Sequence, residues 1–151
     1  MIQVDILGLQ ALQAKADQMI RDLHGKPMLD GMRKATIIVA TEARTLAPVD
    51  TGRLRSSITP EVRLERWDVL GVVGSNVLYA PYMETGTKPH WPPVSALGVW
   101  ARRHGVSAFL VARAIARKGT KPRRYLQGAF ENKRRDVQRA IGRAVAEIVD
   151  R

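Results

Sequence analysis

The sequence predicts an α+β fold in which a small antiparallel sheet packs against helices and a long helix closes the chain. Three observations carry this expectation. Apolar residues recur at helical spacing over residues 9–23 and 28–46. Two apolar runs, 58–64 and 69–73, flank a charged turn, the pattern of a β-hairpin. One long periodic stretch then runs from about Tyr125 to Val149. The chain has 151 residues, a length that suits one domain with a sizeable core, so a single domain over 1–151 is expected.

Taken in order, Ile2, Val4 and Ile6 alternate with Gln3 and Asp5, which predicts a short N-terminal strand closed by Gly8. Leu9, Leu12, Ala16, Met19, Ile20 and Leu23 form the stripe of a first helix ending at Gly25. After Pro27 a second helix places Met28, Met32, Ala35, Val39, Ala43 and Leu46 on one side and stops before Pro48, because proline disfavours helical geometry in the residue before it. Ile58, Val62 and Leu64 alternate with polar neighbours, and with Val69 to Val73 they make the hairpin, turning near Arg66 and Asp68. Ser95 is placed to cap a short helix that ends at Gly105, and Ser107 another that ends at Gly119. The final helix, a basic one over 125–150, carries an apolar stripe of Phe130, Val137, Ile141, Val145 and Ile148.

Charge is lopsided. The formal net charge is +11, and residues 101–151 carry fourteen basic against four acidic side chains while residues 1–100 are nearly balanced. A one-sided field bears on partners rather than on fold: a nucleic-acid backbone, an anionic membrane surface or an acidic protein face, against the plain alternative of a solvated surface. Arg135, Arg139 and Arg143 fall at i, i+4 steps on the helix face opposite its apolar stripe and are candidate partner contacts. Cysteine is absent, which removes disulfides and thiolate chemistry. No apolar run is long enough for a bilayer, and Met1 to Asp5 lacks the basic start of a signal peptide, so synthesis in a cytoplasm with no membrane partner is expected.

No catalytic constellation emerges. Asp50-Thr51-Gly52 spells the loop of aspartic proteases, but that chemistry needs the loop after an apolar strand in an all-β fold. Here a helical stripe and Ala47-Pro48 precede it, and Arg53 follows as a cation that would pair with the carboxylate. The three residues read as a structural turn in which Asp50 and Thr51 accept backbone N–H bonds and Gly52 allows the bend. Residues 97–114 resemble a helix-turn-helix, yet Phe109 and two alanines stand where base-reading polar groups would be needed. His24, His90 and His104 have no metal-ligand spacing, and no cofactor is expected. After the hairpin, Tyr79, Tyr82, Met83 and Glu84 gather two aromatics, a thioether and a carboxylate in one turn, a composition of interface cores and equally of a helical turn whose two tyrosines cap the core.

Three strings together resemble one family. They are Ala47-Pro48-Val49-Asp50-Thr51-Gly52-Arg53-Leu54-Arg55-Ser56-Ser57-Ile58; Val73-Gly74-Ser75 leading into Tyr79-Ala80-Pro81-Tyr82-Met83-Glu84-Thr85-Gly86-Thr87; and Tyr125-Leu126-Gln127-Gly128-Ala129. The chain is similar in these to the small tail-component family of lambdoid-type tailed bacteriophages, the neck or tail-completion proteins. Thr85 stands where the family has an aromatic, and Arg124 and Gly128 replace two prolines. The resemblance implies a family core over 1–89 and 120–130, with the helical pair at 90–119 as an insertion. It further implies a non-enzymatic virion protein at the head–tail junction: a homo-oligomeric ring, most often of six, between the head connector and the tail tube. A tail terminator or minor tail protein is the nearest alternative role, and a cytoplasmic DNA-binding protein a more distant one. The basic third then has two uses, sequence-independent contact with DNA in the lumen or docking on an adjoining ring.

Overall fold

The computed structural model describes residues 9–66 and 68–150. The expected N-terminal strand at Ile2, Val4 and Ile6 lies outside the described residues. The element order is α1 (Leu9–Leu23), α2 (Lys26–Leu46), α3 (Arg53–Ser57), β1 (Ile58–Glu65), β2 (Asp68–Ser75), α4 (Ala80–Thr85), α5 (Val94–Arg103), α6 (Ala108–Lys118) and α7 (Tyr125–Val149). The fold is α+β, mostly helical, with a two-stranded antiparallel sheet and a long C-terminal helix.

Helix α2 is the spine. Gly25, in extended geometry, precedes it, and Pro27 stands in its first turn, where the missing N–H costs no intrahelical bond. It ends at Ala47, whose N–H reaches Ala43 O at 2.8 Å, and Pro48 prevents continuation. One side of α2 packs along α7 and another carries the hairpin. The seam with α7 is built from small residues. A Cβ added at Gly31 would lie 2.5 Å from Ala144 Cβ, so the two backbones approach as closely as glycine permits. Ala35, Ala40, Ala43 and Ala129 are buried, and Tyr125, Ile58 and Ile148 are the largest fully buried side chains.

The strands pair from Ile58↔Ser75 to Glu65↔Asp68, so the chain reverses between residues 65 and 68 as the charged turn predicted. Ile58 and Val62 point toward α2, and Gly71 lets Met32 and Thr36 approach the sheet: a Cβ there would sit 2.7 Å from Thr36 Cγ2. Arg44 of α2 donates to Ile58 O at 2.6 and 3.2 Å, tying the first strand residue to the spine. The far half of the hairpin extends past this support, leaving Leu64 and Leu70 exposed.

Helices α5 and α6 leave the body and return through one narrow neck. Thr87 and Thr120 form an isolated antiparallel bridge, with N–H to O bonds of 3.2 Å in both directions and their hydroxyls 3.0 Å apart. Between these ends the pair packs mainly on itself, around Ala101 and Ala112.

Several expected burials differ. On α7, Phe130 and Val145 are exposed, and the inward face runs through Tyr125, Ala129, Ala144 and Ile148. On α2, Leu46 is exposed while Gly31, Thr36 and Ala40 are buried. The cause is shared: close helix contact selects small side chains, and the bulky apolar residues lie off the seam. The stripe of α1 is not buried either, since Leu12, Ile20 and Leu23 face solvent. Helix α5 begins at Val94 after Pro93, so Ser95 is inside its first turn and is not its cap.

The Tyr125 ring is 1% exposed, and its hydroxyl has no hydrogen-bond partner among the described residues. Burial, and then the charges of Glu84 and Tyr79, push its pKa above the ordinary value of 10.0. The unfolded chain therefore releases this proton first. The tyrosine's contribution is intact below pH 10 and falls as pH climbs through the folded value. Tyr125→Phe removes a buried unpaired hydroxyl, and urea titration at pH 7 should show it about 1 kcal/mol more stable. Above pH 10 the gap between variant and parent should widen.

Candidate functional site

The structural turn is made by the backbone. Gly52 has φ 79° and ψ −7°, the left-handed region that favours glycine, and it starts α3. Arg53 N–H reaches Thr51 Oγ1 at 3.5 Å, and Ser56 N–H bonds Gly52 O at 2.9 Å. The carboxylate of Asp50 pairs with Arg103 of α5 at 2.9 Å, where the sequence had suggested Arg53. Chain proximity pointed to the adjacent cation; the fold brings in one from the helical pair. The contact is partly exposed and tethers α5 to the body with little energy of its own.

Helix α4 presents Tyr79, at its N-terminal edge, and Tyr82 outward, both exposed, while Met83 packs against the core. Glu84 points the other way, into the molecule. Its Oε2 accepts from Leu126 N–H and its Oε1 from Gln127 N–H, each at 2.9 Å. These are donors of the first turn of α7, which has no side-chain cap of its own. The preceding residues add a backbone clamp: Arg123 N–H bonds Met83 O at 2.8 Å and Arg124 N–H bonds Glu84 O at 3.1 Å. Arg124 takes a left-handed conformation, φ 48°, to enter the helix, the one non-glycine among the described residues to do so. Both Glu84 oxygens are thus engaged inside the molecule.

The turn and the aromatic cluster, read separately in the sequence, line one cleft of about 1070 Å³ between the body and the helical pair. Val49, Asp50, Tyr79, Tyr82 and Met83 form its body side, and Trp100 of α5 lies across from them. Trp100 stacks on His104 with ring centroids 4.3 Å apart. Trp100 carries no contact signal in the sequence beyond lying within residues 97–114. Arg53, Lys121 and Arg123 also border this mostly apolar cleft.

The α7 arginines are elsewhere. Arg139 and Arg143 line a groove of about 1040 Å³ between α7 and α2, together with Asp30, Glu42, Asp136 and Glu147. Arg139 is paired with Asp136, and Lys133 lies 3.8 Å from Glu42. Arg135 is exposed on the same helix. The groove therefore mixes both signs along its length.

Among the described residues, no group of three or more His, Cys, Asp or Glu side chains could hold a metal ion. None of their helices is long and apolar enough to cross a membrane.

A helical body with a short hairpin and surfaces of exposed aromatics and arginines is the kind of molecule that works by contact with other macromolecules. Residues 10–86 match the family described as "Bacteriophage HK97-gp10, putative tail-component". The chain belongs to this family of phage tail components. The matched span ends one residue before the Thr87–Thr120 bridge. Among curated proteins nothing matches the chain, and among solved structures nothing does.

Proposed function

We propose that the protein is a ring-forming neck or tail-completion component of a tailed phage virion, joining the head connector to the tail tube and carrying no enzymatic activity. The observation that carries this reading is family membership across α1 to α4. The exposed Tyr79 and Tyr82 and the basic last third supply contact chemistry suited to assembly. The helical pair is then an insertion on the family core, a division supported by the match ending at the bridged neck. In this reading the protein assembles in the host cytoplasm and acts at the head–tail junction.

The α7 arginines in this proposal dock on an adjoining ring and do not track DNA. The groove that Arg139 and Arg143 border sets four carboxylates among five cations, a nearly balanced lining that suits a protein face of mixed charge better than a phosphate backbone. Particles carrying Arg135→Glu, Arg139→Glu and Arg143→Glu should accumulate as separate heads and tails under the electron microscope. Joined particles that lose their DNA would assign these side chains to the lumen. Labelling of the protein at the distal tail tip would overturn the neck placement, and overlong tubes in its absence would make it a tail terminator.

A further inference from the structure

Helices α5 and α6 and the turn between them expose a run of apolar side chains. Val99, Val106, Phe109 and Leu110 are all exposed, while Ala101 and Ala112 are the buried side chains of the two helices. A patch of this kind on a small protruding unit marks a contact surface. Its charge is as one-sided as its hydrophobicity: from residue 85 to residue 130 there is no acidic side chain, and there are nine basic ones. On α6, Phe109, Arg113 and Arg117 follow at four-residue steps along one exposed face beside Leu110. A matching partner must offer apolar side chains ringed by carboxylates. Exposed valine and leucine suit a protein face and add nothing to phosphate recognition.

The chain itself carries an apolar face on which carboxylates outnumber cations. The hairpin is an element whose net charge is negative, with Glu61, Glu65 and Asp68 against Arg63 and Arg66. Glu61 and Arg63 are bonded to each other at 2.8 Å, Arg63 also feels the charge of Glu65, and Glu65 and Asp68 are opposed neighbours at the hairpin end with Arg66 between them in the chain, so the element keeps one net negative charge. Leu70 lies on that same sheet face, opposite Arg63 in the register, and is exposed, as is Leu64. Within one copy the hairpin makes no substantial contact with α5 or α6.

We propose that the basic, apolar face of α6 docks on the acidic, apolar hairpin end of a second copy. The contact joins two different patches, so it is heterologous and repeats from copy to copy, closing a ring where the rotation allows. The inference deepens the ring reading and rests on it, and it gives the insertion a use, that of reaching the neighbour.

The test uses two full-length variants. One carries Glu65→Arg with Asp68→Arg, and the other Arg113→Glu with Arg117→Glu. These side chains are exposed, so both variants should keep the parent's circular dichroism and melting temperature. In sedimentation velocity the parent should associate with rising concentration, and each variant alone should associate at least ~10-fold more weakly. Mixed one to one, the two should regain association, because each reversed patch then meets its opposite on the other variant. Leu110→Ser should also weaken association with all charges in place. Variants that associate as well as the parent would overturn this contact while leaving the ring reading to the electron microscopy above. A parent that stays monomeric throughout would overturn it as well. So would loss of affinity for mixed-sequence DNA in Arg113→Glu/Arg117→Glu with unchanged self-association, which would assign the face to nucleic acid.

Discussion

Gly31→Val should cost about 3 kcal/mol or more, the largest loss expected from a single side chain on the spine. Even the first added carbon would lie 2.5 Å from Ala144 Cβ, well inside contact distance. The hairpin holds α2 on its other side and limits its retreat from α7. Valine also adds branches that widen the separation. Gly31→Ala is the informative companion. It gains up to about 1 kcal/mol of intrinsic helix stability yet brings the same clash, so a net loss of roughly 1–2 kcal/mol is expected. Ala144→Gly should recover much of that loss when combined with Gly31→Ala, although alone it destabilises. Urea unfolding of the four proteins gives the coupling energy, and a value near zero would mean that the helices do not meet at this pair.

Glu84→Ala should be the next most costly change, by about 2 kcal/mol, because it removes two charge-assisted bonds from the first turn of α7. Both orphaned N–H groups are left where no local side chain replaces the carboxylate. Glu84→Gln keeps a single acceptor oxygen and should lie between parent and alanine. Hydrogen exchange locates the effect: Leu126 and Gln127 amides should lose protection first, while those of the α2 centre change with global stability only. If residue 84 were chiefly a partner contact, alanine would leave purified-protein stability unchanged.

Periodicity and punctuation made most of the fold legible. Gly25, Pro48, Gly105 and Gly119 bound helices as local rules require, and the charged turn located the hairpin reversal. Which face points inward was less legible. Phe130 outranks Ala129 on any hydrophobicity scale, yet the narrow seam admits Ala129 and leaves Phe130 half exposed. Ala144 and Gly31 carry almost no pattern signal, although they set the distance between the two longest helices. The candidate site was readable as separate strings and unreadable as a cleft. Asp50 meets Arg103, and Glu84 meets α7, across intervals of the chain that no capping or turn rule spans. Fit between distant segments is a property of the folded whole.

The Thr87–Thr120 bridge has a consequence for how such a chain can vary. Both ends of the excursion are held together by backbone and hydroxyl bonds, so the body meets the helical pair at a closed doorway, at the Asp50–Arg103 ion pair and across the cleft that Trp100 lines. Gly119 stands in the doorway with φ 68°, packed so tightly against Thr87 O that a side chain could not enter. A short turn joining residues 87 and 120 would bring the core's two segments together without the helical pair. If the helical pair is the insertion proposed above, the position is a socket: the attachment can be refitted while the body that carries it stays the same.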